Sequence, residues 1–405
     1  MAPGPTGPLM PSMPRFAAAL SVDPNAAAAE EQVTSRIVDA LSGRRADLCV
    51  VFVSHHYGSA IEELGPRLAK ATGARVVIGC TGESIIGGER EVEREPALSV
   101  WCAELPGVEL RPFRVTARAD GDQIHFSAVP DIGDSSRASV LLFGDPYSFP
   151  MDEYLKRLNA NFPGVPAVGG MASGGMGPGQ NLLISKDGIE AQGAHGVVLE
   201  GAIELRSVVS QGCRPIGRPW VVTACEEHLI GKLGGRPALD VLMETMTALA
   251  PEEQKLFQRG PFVGLAIDSA KSQFTRGDFL VRNVLGLSRD ERAIAVSDIL
   301  RRGQTVQFLV RDAASATEDL TQLMASAATG EVADPGSCGA LLFTCNGRGS
   351  RMFQGADHDL RCVRTGLEAN VPVAGFFAQG EIGPVGGRNF LHGYTASVAV
   401  FRART

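Results

Sequence analysis

The stretch Leu48-Cys49-Val50-Val51-Phe52-Val53, answered further on by Val76-Val77-Ile78-Gly79-Cys80-Thr81-Gly82-Glu83, decides the fold. Six apolar residues in a row, with β-branched and aromatic side chains among them, read as a strand buried on both faces. The polar segment Ser54-His55-His56-Tyr57-Gly58 leaves that strand as a loop, after which Ile61, Leu64 and Leu68 fall at helical spacing. Gly65-Pro66 interrupts this helix unless it occupies the first turn, where proline is tolerated. Residues 76–78 then form a short strand that runs into a glycine loop, and residues 97–102 read as a closing strand.

The same order recurs twice. Residues 139–143, a helix around Tyr154, Leu155 and Leu158, and residues 165–168 lead into Gly169-Gly170-Met171-Ala172-Ser173-Gly174-Gly175, with residues 196–199 closing the unit. In the third copy residues 340–343, a helix with Leu360, Val363 and Leu367, and residues 371–374 lead into Gly375-Phe376-Phe377-Ala378-Gln379-Gly380-Glu381; residues 397–401 close it. Apolar strands joined through helices specify sheets covered on both faces. The expected fold is therefore mixed α/β: two related halves built from repeated strand–helix–strand–loop–strand units. Function in such folds sits at loops beyond strand ends.

Outward from these units, residues 24–41 form a helix with Val33, Ile37, Val38 and Leu41 on one face, stopped by Gly43. The middle is strand-rich: residues 208–210, 220–223, 262–267, 279–284, 293–296 and 306–310 read as strands, and 236–249 as a helix. Ser315-Ala316-Thr317-Glu318 reads as a capping box for a helix that Gly330 ends. Residues 1–14 form a proline-rich disordered leader without the basic start or apolar core of a signal peptide. The halves are expected at 15–225 and 226–405.

Composition narrows the function. Of 405 residues 44% are hydrophobic and 20% charged, which is globular, and the net charge of −7 offers no broad basic surface for nucleic acid. No apolar run approaches the roughly 18 residues of a membrane span. Eight cysteines, none in a CxxC pair and several inside apolar runs, read as reduced thiols of a cytoplasmic protein. No phosphate-binding motif is present, and His55-His56, pointing to opposite faces of an extended segment, cannot chelate together. Neither a cofactor nor a metal is expected.

Chemistry concentrates at the strand ends. In Cys345-Asn346-Gly347-Arg348-Gly349 two glycines allow close approach to the backbone, and Arg348 offers a bidentate fork for a carboxylate or phosphate. A plain structural turn is the alternative. Gly380-Glu381 follows the partner strand; Glu381 either accepts from an ammonium or amide of a ligand or pairs with Arg348. If both face one cleft they suit a zwitterion such as an amino acid. Cys80, followed by Thr81 and Glu83, stands at the matching place in the first unit. Cys80 or Cys345 would serve a hydrolase or transferase if a base such as His55 or His56 lay near, although buried inert thiols are commoner. The turn Gly212–Gly217 reads as a strand connection.

These motifs resemble the FIST family of sensory domains. The amino-terminal FIST pattern is matched by Leu48 to Ser54, by Val77 to Glu83, by Gly87-Gly88-Glu89-Arg90-Glu91, and by Gln211 to Gly217. The carboxy-terminal pattern is matched by Phe279-Leu280-Val281-Arg282-Asn283, residues 306–312, Phe343 to Gly349, Val373 to Pro384, and Thr395. The resemblance implies a bacterial signalling protein that binds a small ligand, amino acids or their derivatives being proposed for the family, at Cys80, Thr81, Glu83, Cys345, Asn346, Arg348, Gly380 and Glu381. Family members often carry a fused output module. The leader is too short for one, so a separate signalling partner is expected; a cysteine-dependent enzyme and a protein-only scaffold are the alternatives.

Overall fold

The computed structural model describes residues 13–121, 123–275, 277–327, 335–367 and 370–404. Most of the leader, and the helix stop at Gly330, lie outside them. The described chain is mixed α/β, with three six-stranded sheets and a closed barrel.

The first sheet runs Arg15–Ser21, Leu98–Glu104, Leu48–Ser54, Val76–Gly82, Leu183–Ser185, Gly188–Glu190 in spatial order. The second runs Arg388–His392, Glu381–Val385, Ala167–Met171, Ala138–Gly144, Ala194–Gly201, Val108–Val115. The third runs Ile203–Gln211, Thr395–Ala403, Cys338–Cys345, Val373–Ala378, Ser84–Gly87, Arg90–Glu93. Each holds one parallel pair from the repeated pattern, with a later strand antiparallel to the first member: Leu48–Ser54 beside Val76–Gly82, Ala138–Gly144 beside Ala167–Met171, Cys338–Cys345 beside Val373–Ala378. Strands also cross between units. Glu381–Val385 completes the second sheet against Ala167–Met171, and Ser84–Gly87 extends the third against Val373–Ala378.

The outer face of each sheet is covered by helices: Ala26–Ala40 and Leu64–Thr72 on the first, Met151–Asn161 on the second, Ala313–Ala327 and His358–Leu367 on the third. Pro66 lies in the first turn of its helix, the position that costs no hydrogen bond. The inner faces share one core. Phe52, Phe143 and Phe343, each in the second half of its unit's first strand, meet edge to face with centroids 5.5, 6.1 and 5.8 Å apart. Such pairs contribute roughly 0.5–1.5 kcal/mol each beyond the area they bury.

The glycine loops begin later than the sequence implies. Gly79, Cys80 and Thr81 belong to the strand Val76–Gly82, Gly169 to Met171 to the strand Ala167–Met171, and Gly375 to Ala378 to the strand Val373–Ala378. The reason is steric. A Cβ on Gly79, Gly169 or Gly375 would stand 1.8, 1.9 or 1.8 Å from the carbonyl oxygen of Val51, Leu142 or Leu342 on the parallel neighbour. These glycines permit close strand approach; they do not mark turns.

The fourth sheet closes on itself: Cys213–Glu226, Thr305–Arg311, Phe262–Ala266, Phe279–Ser288, Ala293–Val296, Leu229–Leu233, and back to Cys213–Glu226. The expected turn at Gly212–Gly217 is instead a joint at Gly212 followed by one long strand, whose register shifts between Ile216 and Trp220. That irregularity bends the strand so that it serves two sides of the barrel. The helix expected at 236–249 is a two-residue strand, Arg236–Pro237, and the helix Ala238–Ala248; a further helix, Pro251–Gln258, follows. Helix Ala313–Ala327 starts before the expected capping box, because Asp312 Oδ1 accepts from the Ala314 and Ser315 N–H groups at 3.1 and 3.5 Å. His55 and His56 start a 3₁₀ helix, His55–Ile61, and are not extended. All eight cysteines are free thiols, and no helix among the described residues is long and apolar enough to cross a membrane.

Candidate functional site

The third sheet meets the barrel at the end of Cys338–Cys345. Beyond this strand the chain turns through Asn346 and Gly347, where the Asn346 N–H donates to the Ala378 carbonyl at 3.0 Å and the Arg348 N–H to that of Cys345 at 2.8 Å. These bonds aim Arg348 inward, and its side chain is fully buried. Its Nε and Nη2 donate to Asp359 Oδ2 and Oδ1 at 2.6 and 2.8 Å, a fork-on-carboxylate geometry. Burial raises the Asp359 carboxyl, but Arg348 outweighs it and holds the group well below the usual carboxylate range. Asp359 also accepts from Thr344 and contacts His358 Nδ1 at 2.8 Å. Burial draws the His358 imidazole down, yet its bonds to Asp359 and Cys362 prevail and lift it to about 9. The Phe353 ring stacks on His358 at 3.4 Å.

Glu381 opens the strand Glu381–Val385 and is equally buried. Its Oε2 accepts from the Thr395 N–H at 3.2 Å and hydroxyl at 2.7 Å. Burial nevertheless pushes its carboxyl up to about 8. The positive charge of Arg348 opposes the rise in the Glu381 carboxyl, but the ion pair of Arg348 is with Asp359. From the barrel comes Arg311, whose Nη2 donates to the Gly347 carbonyl and whose guanidinium lies 5.4 Å from the centre of the Tyr394 ring. The Tyr394 hydroxyl donates to Asn283 at 2.5 Å, and its ring meets Phe262 edge to face at 4.5 Å.

What sets this place apart is unfinished hydrogen bonding. Nine buried side-chain polar atoms among the described residues lack a protein partner, and four are here: Arg348 Nη1, Arg311 Nε, Glu381 Oε1 and Asn346 Oδ1. Two are donors and two acceptors. Each unsatisfied atom costs about 1–3 kcal/mol of desolvation, so such a cluster needs an external reason. Small residues make the room. A Cβ on Gly212 would stand 3.0 Å from Arg348 Nη1 and 3.5 Å from Met352 Cε, and one on Gly347 3.1 Å from Arg311 Nη2. Arg311, Met352 and Tyr394 also line an open cleft of ≈ 360 Å³. A groove of similar volume lies between the first and second sheets, beside Ile78, Phe113 and His195, but none of the nine atoms belongs to its lining.

The remaining expected residues divide. Gly380 is buried, and its carbonyl accepts from the Met171 N–H at 2.8 Å. Cys345 borders the cluster, and burial, then Glu381, pushes its thiol up to about 12. Glu83 is bound to Arg351, whose Nη1 also donates to the Asn346 carbonyl at 2.7 Å, so it touches the loop from outside. Cys80 and Thr81 are completely buried strand residues. Cys80 packs in the central core, where burial raises its thiol well above the ordinary value, and the Thr81 hydroxyl accepts from the Leu182 N–H at 3.0 Å. The strand ends of all three units do meet: Ser173 Oγ accepts from the Glu83 N–H at 2.9 Å and donates to the Phe377 carbonyl. Sequence reading missed Asp359, Arg311 and Tyr394. The acidic flank of Asp357-His358-Asp359, just after an arginine loop, was the available signal for the first.

Two family models match the chain, the FIST N domain over residues 47–236 and the FIST C domain over 238–384. The chain belongs to the FIST family. FIST domains are generally sensory domains of signal-transduction proteins and are thought to bind small ligands. This FIST protein is 39% identical over 387 residues to an uncharacterized protein of Mycobacterium tuberculosis, covering 96% of this chain and 99% of the relative. It is 37% identical over 388 residues to an uncharacterized protein of Mycobacterium bovis, covering 96% and 98%. The junction described above draws on both matched segments: Gly212 belongs to the first, and Arg311, Asn346, Arg348 and Glu381 to the second.

Proposed function

We propose that this FIST protein senses a small zwitterion, an amino acid or a derivative, held where the third sheet meets the barrel. A ligand carboxylate accepts from Arg348 Nη1 and Arg311 Nε; a ligand ammonium donates to Glu381 Oε1 and Asn346 Oδ1. The observation that carries this reading is the grouping of two orphan donors and two orphan acceptors in one buried place. Desolvated charges bind a partner strongly only when it restores all their bonds. Gly212, the joint between sheet and barrel, packs beside Arg348, so ligand binding biases the arrangement of those two bodies, and a separate cytosolic partner reads it. The raised thiols of Cys80 and Cys345 favour this reading over a cysteine enzyme, since nucleophilic cysteines need lowered values.

Thermal unfolding of the purified chain with a panel of amino acids, their N-acetyl derivatives and the matching amines tests it. A zwitterion at a hundredfold excess over its dissociation constant adds about 2.7 kcal/mol of stability. Its N-acetyl and decarboxylated analogues, each lacking one charge, stabilise far less, and Glu381→Gln removes the demand for an ammonium. Equal stabilisation by singly charged analogues overturns the proposal.

A further inference from the structure

Of the four residues with orphan atoms at the junction, Arg311 lines the cleft of ≈ 360 Å³, and that cleft has a one-sided charge. Arg259, Arg311 and Arg351 line it, no carboxylate does, and Phe262, Met352 and Tyr394 supply apolar wall. Arg311 enters from the barrel strand Thr305–Arg311 and keeps its Nε free of protein partners. Arg351 projects from the 3₁₀ turn Gly349–Arg351, anchored by Glu83 on the far side and by the Asn346 carbonyl at 2.7 Å. Arg259 follows the helix Pro251–Gln258; its side chain is exposed, with no ion pair or side-chain hydrogen bond to any described residue. Like charges around a concave surface with apolar walls focus a positive potential into it. The sign is local, because the chain as a whole carries −7.

Resting on the zwitterion reading above, we propose that the ligand bears a second anionic group and so carries net negative charge: an amino acid with an acidic side chain, or a small acidic derivative of one. Its ammonium and first carboxylate complete the bonds of Glu381, Asn346, Arg348 and Arg311. Its methylene chain lies along Met352 and Tyr394, and its second carboxylate reaches the guanidinium groups of Arg259 and Arg351. The two ends of the site then differ in kind. The buried end recognises any α-amino acid, and the open end selects among them by charge.

Calorimetric titration of the full chain with L-glutamate, L-aspartate, L-glutamine and L-asparagine separates the two levels. The acids are expected to bind at least tenfold more tightly than their amides at low salt. That preference shrinks to within about threefold in Arg259→Ala, an exposed position where folding is not at stake, and it falls as salt is raised from 0.05 to 0.5 M because the outer arginines are screened. Amides that bind as well as the acids, or better, overturn the acidic selectivity and leave the zwitterion reading standing. A chain that binds none of the four, nor any other zwitterion, overturns both.

Discussion

The strand ends at Cys80 and at Cys345 look alike in sequence, each a cysteine among small residues after an apolar run, yet they end differently. At the first, the Thr81 hydroxyl accepts from the Leu182 N–H, and the Glu83 N–H donates to Ser173 Oγ, which in turn donates to the Phe377 carbonyl. At the second, four buried polar atoms remain open. Glycine content and loop position are shared by the two, so they cannot be what makes a site. Open valence in a buried polar cluster distinguishes them, and this property depends on residues arriving from elsewhere in the chain.

The comparison can be broken most severely at the feature the units share. Gly79→Ala and Gly375→Ala each drive a Cβ to 1.8 Å from a strand carbonyl, so neither variant is expected to fold, as judged by soluble yield and circular dichroism. If Gly79→Ala folds and Gly375→Ala does not, the steric equivalence of the units is lost. Next in size is Arg348→Ala, which strands the Asp359 carboxylate in a fully buried site. Breaking such a pair costs roughly 3–5 kcal/mol, and urea denaturation at pH 7 measures it. The double variant Arg348→Met with Asp359→Leu should recover most of that loss, whereas a site held together by other contacts would not respond.

The smallest effect sharpens the open end of the comparison. The Glu381 carboxyl in the folded chain, at about 8, stands above its ordinary value of 4.5, so the folded state binds this proton more tightly than the unfolded state. The contribution is fully present below about pH 4.5 and is lost as pH rises through about 8. Glu91, raised by burial and then Asp359 to about 8, slopes the same way. Glu381→Gln should therefore flatten part of the decline in stability between pH 5 and 8 and stabilise the ligand-free chain at pH 8 by on the order of a few kcal/mol. An unchanged pH profile would show that Glu381 is not desolvated.

Much of the fold was legible because buried strands announce themselves as apolar runs: the first strand of each unit, the helices at Val33 and Leu360, and the mixed α/β class all follow from periodicity. The strand ends were not, because a glycine needed for close approach to a neighbouring carbonyl, as at Gly79 or Gly375, is the same letter as a glycine in a turn. Arg348 and Glu381 stood out as charges in glycine-rich segments, whereas Asp359, Arg311 and Tyr394 did not. Nothing in the residues around Arg311 indicates that a barrel strand will end against the Gly347 carbonyl. The alternative that Glu381 pairs with Arg348 was one carboxylate off, since Asp359 lies a helix start away, 11 residues on, and takes the guanidinium.

The placement of Thr395–Ala403 has a consequence for biosynthesis. It lies between Ile203–Gln211 and Cys338–Cys345, paired with both, although it is made after both. During translation Ile203–Gln211, an edge strand that pairs with Thr395–Ala403 alone among the described strands, therefore waits without a sheet partner while nearly two hundred more residues are added. Until residue 395 is made, the two hydrogen bonds that Thr395 gives Glu381 Oε2 cannot form, so the buried Glu381 carboxyl finds this partner only as the third sheet is completed.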